Sequence, residues 1–420
     1  MNHHYKKLII SFLFSFVMLT VGCFTFNQIS KQNVAQLYSD AELVFHPDYL
    51  LYHFSNDSST LYFKINTNEL LYAREGFMTN FTSKFIIKYE LLADYEAKQV
   101  IDSARINYVD TVITIKKKQI TDSIKIKVPY GRNYVLRLTA TDINRTKEYV
   151  SYLNVNKQNS RANQNFIIRD GNNQLVFENY IDPKQAFRII YRKDTLSHLF
   201  IKYYKNKFPI ASPPFNYSSG KTVTIYPDSI YTLPVNKKST GLIYLNKEGV
   251  YRVMADTSQK ESLTLYRFYE DFPEITVPEQ MIYSVRYLTT RQEFDDMIIR
   301  ANKKEAIDNF WIELAGNSDR ARQLIKSYYG RVRLANIFFS SYYEGWKTDR
   351  GMIYIIYGPP STVFKSTTTE NWIYGDASSL KSINFMFYKV DNPFTENDYL
   401  LSRSDLFRDS WYYAVSNWRR

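Results

Sequence analysis

Apolar and polar residues alternate with a period of two along the first two thirds of the chain. From Val44 to about Val155, runs of aromatic and β-branched residues are separated by turn-forming residues such as Asn56 and Asp57. The runs are DYLLYHF, TLYFKIN, KFIIKYELL, SARINYV, TVITIKK, SIKIKVPY, NYVLRLTATD and EYVSYLNV. Short strands at this spacing are typical of a β-sandwich. We therefore predict an Ig-like β-sandwich domain over residues 45–156.

A second strand-rich stretch follows a short polar linker, Lys157 to Gln164. Its runs are NFIIRD, QLVFENYI, AFRIIYRK, SHLFIKYYK, TVTIYP, SIYTLPV, GLIYLNK and GVYRVMAD. The pattern predicts a second sandwich-like domain over residues 164–270. Within it, the segment 211–220 has the composition of a loop, and its two adjacent prolines make it stiff. We interpret this segment as a candidate contact loop.

After Pro273 apolar residues recur three and four positions apart, which predicts helices. They are expected in VPEQMIYSVRYL, RQEFDDMIIRA, KKEAIDNFWIEL, a longer segment with Ser318 as its N-cap, and DLFRDSWYYAVSNWRR. Strands are expected in ENWIYG, INFMFYKV and DYLLS. From Met352 to Tyr357 both alternating faces are bulky, so we predict a central strand there. Residues 275–420 are thus predicted to form an α+β domain.

The N-terminus has the pattern of a bacterial secretory signal. Two lysines precede an uncharged run from Leu8 to Gly22, and Cys23 follows directly. The TVGC sequence resembles a lipobox, which predicts a signal peptide at 1–22 and a lipidated Cys23 at the start of a tether over 23–44. The alternative is a retained anchor, because the uncharged run from Leu8 to Phe26 approaches the ~20 residues that span a bilayer. Either arrangement predicts an exported protein.

Export limits the chemistry that the chain can perform. Cys23 is the only cysteine, so a mature chain acylated there has no thiol for a disulfide, a thiolate metal site or a nucleophile. The net charge is +12. Residues 271–420 contain equal numbers of basic and acidic side chains, so the excess lies before them. A nucleic-acid partner is excluded for an exported chain, whereas acidic envelope glycolipid stays open as a contact.

Candidate catalytic groups are few in the C-terminal third. Residues 271–420 contain no His and no Cys, which excludes a Ser-His-Asp triad, a Cys-His pair and a common zinc site within that domain. A carboxylate pair such as Asp349 with Glu344 or Glu370 is the remaining enzymatic option, as a glycosidase. We expect no enzyme activity, no cofactor and no metal site, and we keep the glycosidase as the less favoured alternative.

The stretch GWKTDRGMIYIIYGPP, residues 345–360, resembles the GWxTD domain family of Bacteroidetes-type envelope proteins. Gly345, Trp346, Thr348 and Asp349 match the motif for which the family is named. A helix with Arg333, Ala335, Asn336 and Phe338 precedes the motif, and a Trp-Ile-Tyr strand at 372–374 follows it. The resemblance covers roughly residues 275–420. It implies an exported protein, often a lipoprotein with β domains ahead of this module, and it implies no particular reaction.

The motif residues themselves predict architecture. Gly345 is expected as the left-handed residue that ends a helix, and Trp346 is expected to bury its ring against the sheet. The side-chain oxygens of Thr348 and Asp349 are expected to accept hydrogen bonds from turn amides. The remaining expectations are that Gly351 permits a close backbone approach, that Gly358 and Pro359 end the strand, and that Arg333 or Arg350 pairs with Asp349.

Two binding functions remain open from the sequence. In the first, the protein is a lipid-anchored scaffold or binding subunit of an outer-membrane complex of the assembly or secretion type. Its candidate interface anchors are Tyr342, Tyr343, Trp372 and Trp418. In the second, aromatic side chains bind glycan or peptidoglycan. We favour the first, because most aromatic residues fall at helix or strand period. The absence of an acidic cluster directly after Cys23 favours a periplasm-facing anchor over the cell surface.

Overall fold

A computed structural model describes residues 28–39, 45–74, 76, 79–159, 162–205, 208–217, 225–258, 262–376, 378–379 and 381–419. The predicted signal peptide and Cys23 lie outside these residues. Within the described part of the chain, no helix is long and apolar enough to cross a membrane. The prediction of a β-rich, multidomain chain with a helical C-terminal region is confirmed.

The first β region consists of two antiparallel sheets. Its strands are β1 (Asp48–Tyr52), β2 (Ser58–Asn66), β3 (Phe81–Leu92), β4 (Val100–Val112), β5 (Gln119–Lys127), β6 (Asn133–Asp142) and β7 (Lys147–Asn156). They are ordered β1-β2-β5 in one sheet and β4-β3-β6-β7 in the other. Buried and less buried residues alternate along much of β2, β3 and β6. Phe63, Ile87, Ile126 and Leu136 from both sheets share one core. The period-two pattern therefore predicted the inward faces of these strands.

The second β region is a single seven-stranded sheet. It contains β8 (Phe166–Asp170), β9 (Phe187–Tyr191), β10 (His198–Tyr204), β11 (Ser229–Asn236), β12 (Ser239–Thr240), β13 (Gly249–Met254) and β14 (Leu263–Arg267). The strand order is β14-β13-β10-β11-β12-β9-β8. Ile168 of one edge strand and Leu265 of the other lie in the same core cluster, so the sheet curls over its own core.

Two expected strands of the second region differ from the structure, and a third lies partly outside the described residues. The runs at 174–181 and 241–247 pair only through isolated bridges, at Leu175, Tyr180 and Ile243. Each of these bridges joins a strand of the sheet at one position, so neither run forms a ladder of its own. The expected strand at 222–227 falls largely outside the described residues.

The C-terminal region combines six helices with a four-stranded antiparallel sheet in the described residues. The helices are α1 (Pro278–Ser284), α2 (Arg291–Ile299), α3 (Lys303–Ala315), α4 (Ser318–Phe339), α5 (Asp349–Tyr357) and α6 (Arg408–Trp418). The strands are β15 (Thr362–Lys365), β16 (Thr369–Tyr374), β17 (Ile383–Lys389) and β18 (Tyr399–Leu401), hydrogen-bonded in chain order. All five tryptophans of the chain lie in the core of this region.

Two expectations for the C-terminal region are wrong. The N-cap of α4 is Asn317, whose side chain accepts a hydrogen bond from the amide of Arg320, and Ser318 is the first helical residue. The predicted strand at 352–357 is helix α5. Residues 349–356 are all buried, and a helix that is apolar on all sides has no amphipathic period by which to distinguish it from a strand.

The N-terminal segment 28–39, expected as part of a tether, packs against the C-terminal region. It contains two short 3-10 turns, Ile29–Lys31 and Ala35–Tyr38. The amide of Val34 donates to the carbonyl of Val363 over 2.9 Å, which adds this segment to the edge of β15. Ile29, Val34 and Tyr38 are buried in the same core as the five tryptophans. The segment is therefore part of the fold.

Candidate functional site

The motif begins in a 3-10 turn, Gly345–Lys347, that lies between α4 and α5. A Cβ atom on Gly345 would lie 1.9 Å from the carbonyl oxygen of Ala335 in α4. A Cβ on Gly351 would lie 1.9 Å from the carbonyl oxygen of Gly345. Both glycines thus permit close approach of one backbone to another. The expectation that Gly345 is a left-handed helix terminator is wrong, since it lies within the 3-10 turn and shows no positive φ.

Asn336 of α4 fixes the position of this turn. Its side-chain oxygen accepts a hydrogen bond from the amide of Trp346 at 3.2 Å. Its amide group donates to the hydroxyl of Tyr269 and to the carbonyl of Pro273, both at 2.9 Å. Asn336 is buried, so these contacts satisfy a polar group that would otherwise be costly to bury. They connect the motif to the segment that leaves the second β region.

Trp346 is fully buried beneath the turn. The hydroxyl of Tyr287 donates to its carbonyl oxygen at 2.9 Å, and the ammonium of Lys347 lies 5.4 Å from the centre of its ring. Among the described residues, its indole N–H has no hydrogen-bond acceptor. The ring thus contributes apolar packing between α4, α5 and the segment around Tyr287.

Thr348 and Asp349 begin helix α5. The Thr348 hydroxyl accepts a hydrogen bond from the amide of Gly351 at 2.9 Å and is the N-cap. One carboxylate oxygen of Asp349 accepts from the amide of Leu401 at 2.8 Å, and the other lies 2.5 Å from the guanidinium of Arg403. Burial raises the pKa of Asp349 above its ordinary value, although Arg403 opposes the shift.

The expected partners of Asp349 were wrong. Arg333 forms an ion pair with Glu274 at 2.5 Å on the surface. Arg350 is fully buried and points to Glu370, with 3.2 Å between their side chains. The sequence could not identify Arg403, because it lies 54 positions from Asp349 and reaches it through the fold.

Glu370 is the centre of a second buried network. Its carboxylate lies 2.5 Å from the ammonium of Lys365 and accepts a hydrogen bond from the hydroxyl of Tyr38, which lies 3.0 Å from each carboxylate oxygen. The indole N–H of Trp372 donates to it at 3.2 Å. Burial alone would raise the pKa of Glu370, but Lys365 and Arg350 outweigh burial and lower this pKa to about 2. The network joins the N-terminal segment, α5, β15 and β16.

The loop at 208–217, which includes residues 211–217 of the expected contact loop 211–220, packs against the motif. The amide of Ala211 donates to the carbonyl of Lys347 at 2.9 Å. Arg403 donates to the carbonyls of Ser212 at 2.7 Å and Pro213 at 2.8 Å. Since Arg403 also pairs with Asp349, one guanidinium connects the motif to the second β region.

A cavity of about 910 Å³ lies beside the motif, between the second β region and the C-terminal region. Its walls combine aromatic residues with charged ones. They include Tyr203, Phe208, Tyr269, Tyr283, Tyr342, Tyr343, Trp346, Lys247, Arg267, Glu248 and Glu344. The rings of Tyr342 and Tyr343 lie 4.8 Å apart, and Phe208 packs 4.7 Å from Tyr342. Apolar concave surfaces with a few polar groups are typical of binding sites.

The four candidate interface residues divide into two groups. Tyr342 and Tyr343 are half-buried and line the cavity. Trp372 is fully buried and Trp418 is 8% exposed. The indole N–H of Trp418 donates to the carbonyl of Ile356 at 3.1 Å, so its polar group is already hydrogen-bonded within the core. The expectation of an interface role for Trp372 and Trp418 is therefore wrong, because both complete the core of the C-terminal region.

Gly358 ends helix α5 with a φ of 85°, and its amide donates to the carbonyl of Tyr354 at 2.8 Å. The glycine with a positive φ is thus here and not at Gly345. Pro359 follows directly and cannot donate to continue the helix. Across the described part of the chain, no group of three or more His, Cys, Asp or Glu side chains could hold a metal ion.

Comparison with protein families identifies a GWxTD domain over residues 249–420. The resemblance drawn from the motif is confirmed. The match begins at Gly249, the first residue of β13, so it includes the last two strands of the second β region as well as the helices. No curated protein matches the chain.

Proposed function

We propose that the protein is a non-catalytic envelope scaffold, because residues 249–420 form a GWxTD domain whose motif residues make their hydrogen bonds and ion pairs within the fold. It acts as a binding subunit of an outer-membrane protein complex of the assembly or secretion type. Cys23 carries the lipid anchor, and the body faces the periplasm. The two β regions are Ig-like sandwich modules that complete the structure around an α+β GWxTD module.

The observation that carries this proposal is the internal pairing of the motif's ionisable groups. Asp349 pairs with Arg403, Glu370 pairs with Arg350 and Lys365, and Glu344 lies 2.8 Å from Lys347. A glycosidase needs one carboxyl group that donates a proton and a second that faces the sugar ring across a cleft. Lys365 and Arg350 lower the pKa of Glu370 to about 2, so this carboxylate is a poor proton donor. Asp349 is buried and already paired with Arg403, so the pairing supports a structural role over catalysis.

The cavity beside the motif is the proposed docking surface. Tyr342 and Tyr343 line this cavity together with other aromatic residues such as Phe208 and Tyr269. Aromatic anchors in desolvated pockets contribute strongly to protein interfaces. The same walls contain Lys247 and Glu248, which offer polar groups beside the rings. That mixture also suits a sugar, so glycan or peptidoglycan binding is the second candidate function of this cavity.

The test is purification of the tagged full-length protein from native membranes in gentle detergent, with brief cross-linking and mass spectrometry. We expect a membrane protein in stoichiometric amount. The variant Tyr342→Ala should reduce its recovery at least tenfold, whereas Tyr413→Ala, an exposed tyrosine on α6 at 64% exposure, should not. Both variants are checked by thermal unfolding, so that a loss of partner is separated from a loss of fold.

The opposite result would favour the alternative. If the protein is recovered alone under conditions that keep other envelope complexes intact, the scaffold proposal fails. Binding of peptidoglycan fragments that Tyr342→Ala abolishes would then establish the second candidate.

The lipid anchor is tested separately. The variant Cys23→Ser should move the protein from the membrane fraction to the soluble fraction and abolish metabolic labelling with a fatty acid. Retention of the variant in the membrane would instead support the uncleaved N-terminal anchor.

A further inference from the structure

Strand β4 is the outer strand of its sheet and has 13 residues. On one side it pairs with β3 along its length. On its other side no strand lies among the described residues, and residues 100–112 make no further backbone hydrogen bonds there. The outer N–H and C=O groups of such a strand are a template for another strand.

The features that usually protect an edge strand are weak in β4. It contains no Pro and no Gly, and its pairing with β3 runs from Asp102 to Val112 without a register shift. The one irregularity lies at Ile101, opposite Leu91 and Leu92. Its outward side chains include Val109, which is 65% exposed, and Ile113 just beyond its end is 77% exposed. Natural edges are normally short, bulged, or guarded by Lys or Pro.

We propose that β4 pairs antiparallel with β4 of a second copy of this chain, about a two-fold axis at Asn107. Asn107 is the midpoint of the regular stretch from Asp102 to Val112, so this register uses the whole of that stretch. An isologous interface of this kind places the same patch of both copies face to face. It extends the four-stranded sheet into one continuous sheet across the dimer.

The charges of β4 favour this register over the two registers centred on Arg105 and Ile106. With the axis at Asn107, Arg105 lies opposite Val109 of the second copy, and Asp110 lies opposite Ala104. An axis at Arg105 would place two arginines opposite each other. An axis at Ile106 would place Asp102 opposite Asp110 twice, and like charges directly opposite are destabilising.

The ends of the strand add apolar contact in the same register. Ile101, at 47% exposure, would meet Ile113 of the second copy, at 77% exposure, so two exposed apolar side chains at each end of the strand pair cover one another. The two acids of the strand already have partners in their own subunit. Asp102 accepts from Tyr89 at 2.9 Å, and Asp110 accepts from Lys118 at 2.8 Å. They therefore add little repulsion across the axis.

A cysteine cross-link tests the register. The chain from Phe24 onwards retains every described residue and contains no cysteine. In Asn107→Cys, the two new thiols would lie on the axis, where paired Cα atoms are ~4.5–5.5 Å apart and a disulfide fits. In Ser103→Cys, the two thiols would be roughly 27 Å apart, since they are offset by about eight residues along the strand. Ser103→Cys with Thr111→Cys restores a facing pair.

We expect Asn107→Cys and the double variant to form disulfide-linked dimers at least tenfold faster than Ser103→Cys alone. Sedimentation equilibrium of the cysteine-free chain should give twice the monomer mass, and Val109→Lys should return it to the monomer with an unchanged far-UV circular dichroism spectrum. Val109→Lys places a lysine opposite Arg105 of the second copy. A monomer at all concentrations, or equal cross-linking of Ser103→Cys and Asn107→Cys, would overturn the proposal.

Discussion

Gly345 lies so close to α4 that any side chain must displace a helix. A Cβ there would lie 1.9 Å from the carbonyl of Ala335, which is backbone and cannot rotate away. We expect Gly345→Ala to lower the free energy of unfolding by about 3 kcal/mol, the upper part of the range for overpacking. Gly330→Ala is the matched control, since no atom lies within 4 Å of its Cβ.

Gly330 lies inside α4, where alanine is preferred, so the control should stabilise the protein by about 0.5–1 kcal/mol. Urea unfolding of Gly345→Ala, Gly330→Ala and the wild type measures both changes in the free energy of unfolding. Equal stability of Gly345→Ala and the wild type would show that the turn moves away from α4 at little cost.

Asp349 is a buried carboxylate with one cation and one amide as its partners. We expect Asp349→Ala to destabilise the chain by about 3–5 kcal/mol, because it leaves Arg403 without its carboxylate. Lys347→Ala removes the partner of Glu344, whose side chain is more exposed than that of Asp349, so it should destabilise the chain less than Asp349→Ala does. Thermal unfolding of both variants checks this. If Asp349→Ala kept its stability but lost its partner in the cell, the motif would be a functional site.

Glu370 makes stability depend on pH in a defined direction. Its pKa is lowered from 4.5 to about 2 in the fold, so its ionised form stabilises the protein above about pH 4.5. That contribution is lost as the pH falls towards 2. The full difference corresponds to about 3 kcal/mol at 1.36 kcal/mol per pKa unit. Glu370→Gln should therefore be destabilised most at neutral pH.

The measurement is urea unfolding of wild type and Glu370→Gln at pH 5.5 and pH 3. The difference in free energy of unfolding should shrink by about 2 kcal/mol over this range. Other carboxylates contribute equally to both proteins and cancel. A difference that stays constant would mean that Glu370 is not paired as described.

At the scale of the element, the N-terminal segment is held mainly by Tyr38. Its ring packs 5.2 Å from Phe339 and from Trp372, and its hydroxyl donates to Glu370. We expect Tyr38→Phe to cost about 1.5–3 kcal/mol, as for a hydrogen bond to a charged group, and Tyr38→Ala to cost about 3–5 kcal/mol. Gln36→Ala, at an exposed position of the same turn, should have no effect. Chemical denaturation of the three variants and the wild type measures these differences. Equal stability of Tyr38→Phe, Tyr38→Ala and Gln36→Ala would mean that the segment does not pack against the core.

Helix α5 shows what a sequence pattern can and cannot determine about an element. Met, Ile and Tyr side chains occupy every side of this helix, a pattern that predicts burial, and residues 349–356 are indeed all buried. The same residues fit a central strand equally well, because a segment with no exposed face shows no periodic alternation of apolar and polar residues. The distinguishing signal was Thr348, a capping residue three positions before Gly351. By contrast, most alternating strands of the first β region were predicted well, since one face of each meets solvent. The exception is the pair of runs SARINYV and TVITIKK, which were expected as two strands, whereas the structure has the single strand β4 that ends at Val112.

At the scale of the whole molecule, the sequence located the motif but not its partners. Trp346 and the GWxTD residues were recognisable in one short stretch. The contacts of Asp349 to Arg403, of Lys347 to the loop at 208–217 and of Tyr354 in α5 to Tyr38 join residues far apart in the chain. One sequence carries no signal of such contacts. The cavity beside Tyr342 was likewise invisible, because its walls come from two separate regions.

These long-range contacts determine how the chain should unfold. The largest core contains residues of the N-terminal segment, the first β region and the C-terminal helices, such as Ile29, Tyr95 and Trp311. The fragment 249–420 would lack the first two of these. It would also expose β13, which pairs with β10 from Phe200 to Tyr204 in the intact protein. We therefore expect 249–420 alone to unfold without a sharp transition, or at a far lower temperature than the whole chain.

The fragment 45–159 is the matched comparison, because the first β region has a core of its own between its two sheets. We expect it to melt cooperatively when expressed alone. Circular dichroism melts of both fragments and the full chain test this difference. A sharp transition of 249–420 at the temperature of the intact protein would show that the GWxTD domain folds independently. The contacts from Tyr38 and from the loop at 208–217 would then serve to position the domain and not to stabilise it.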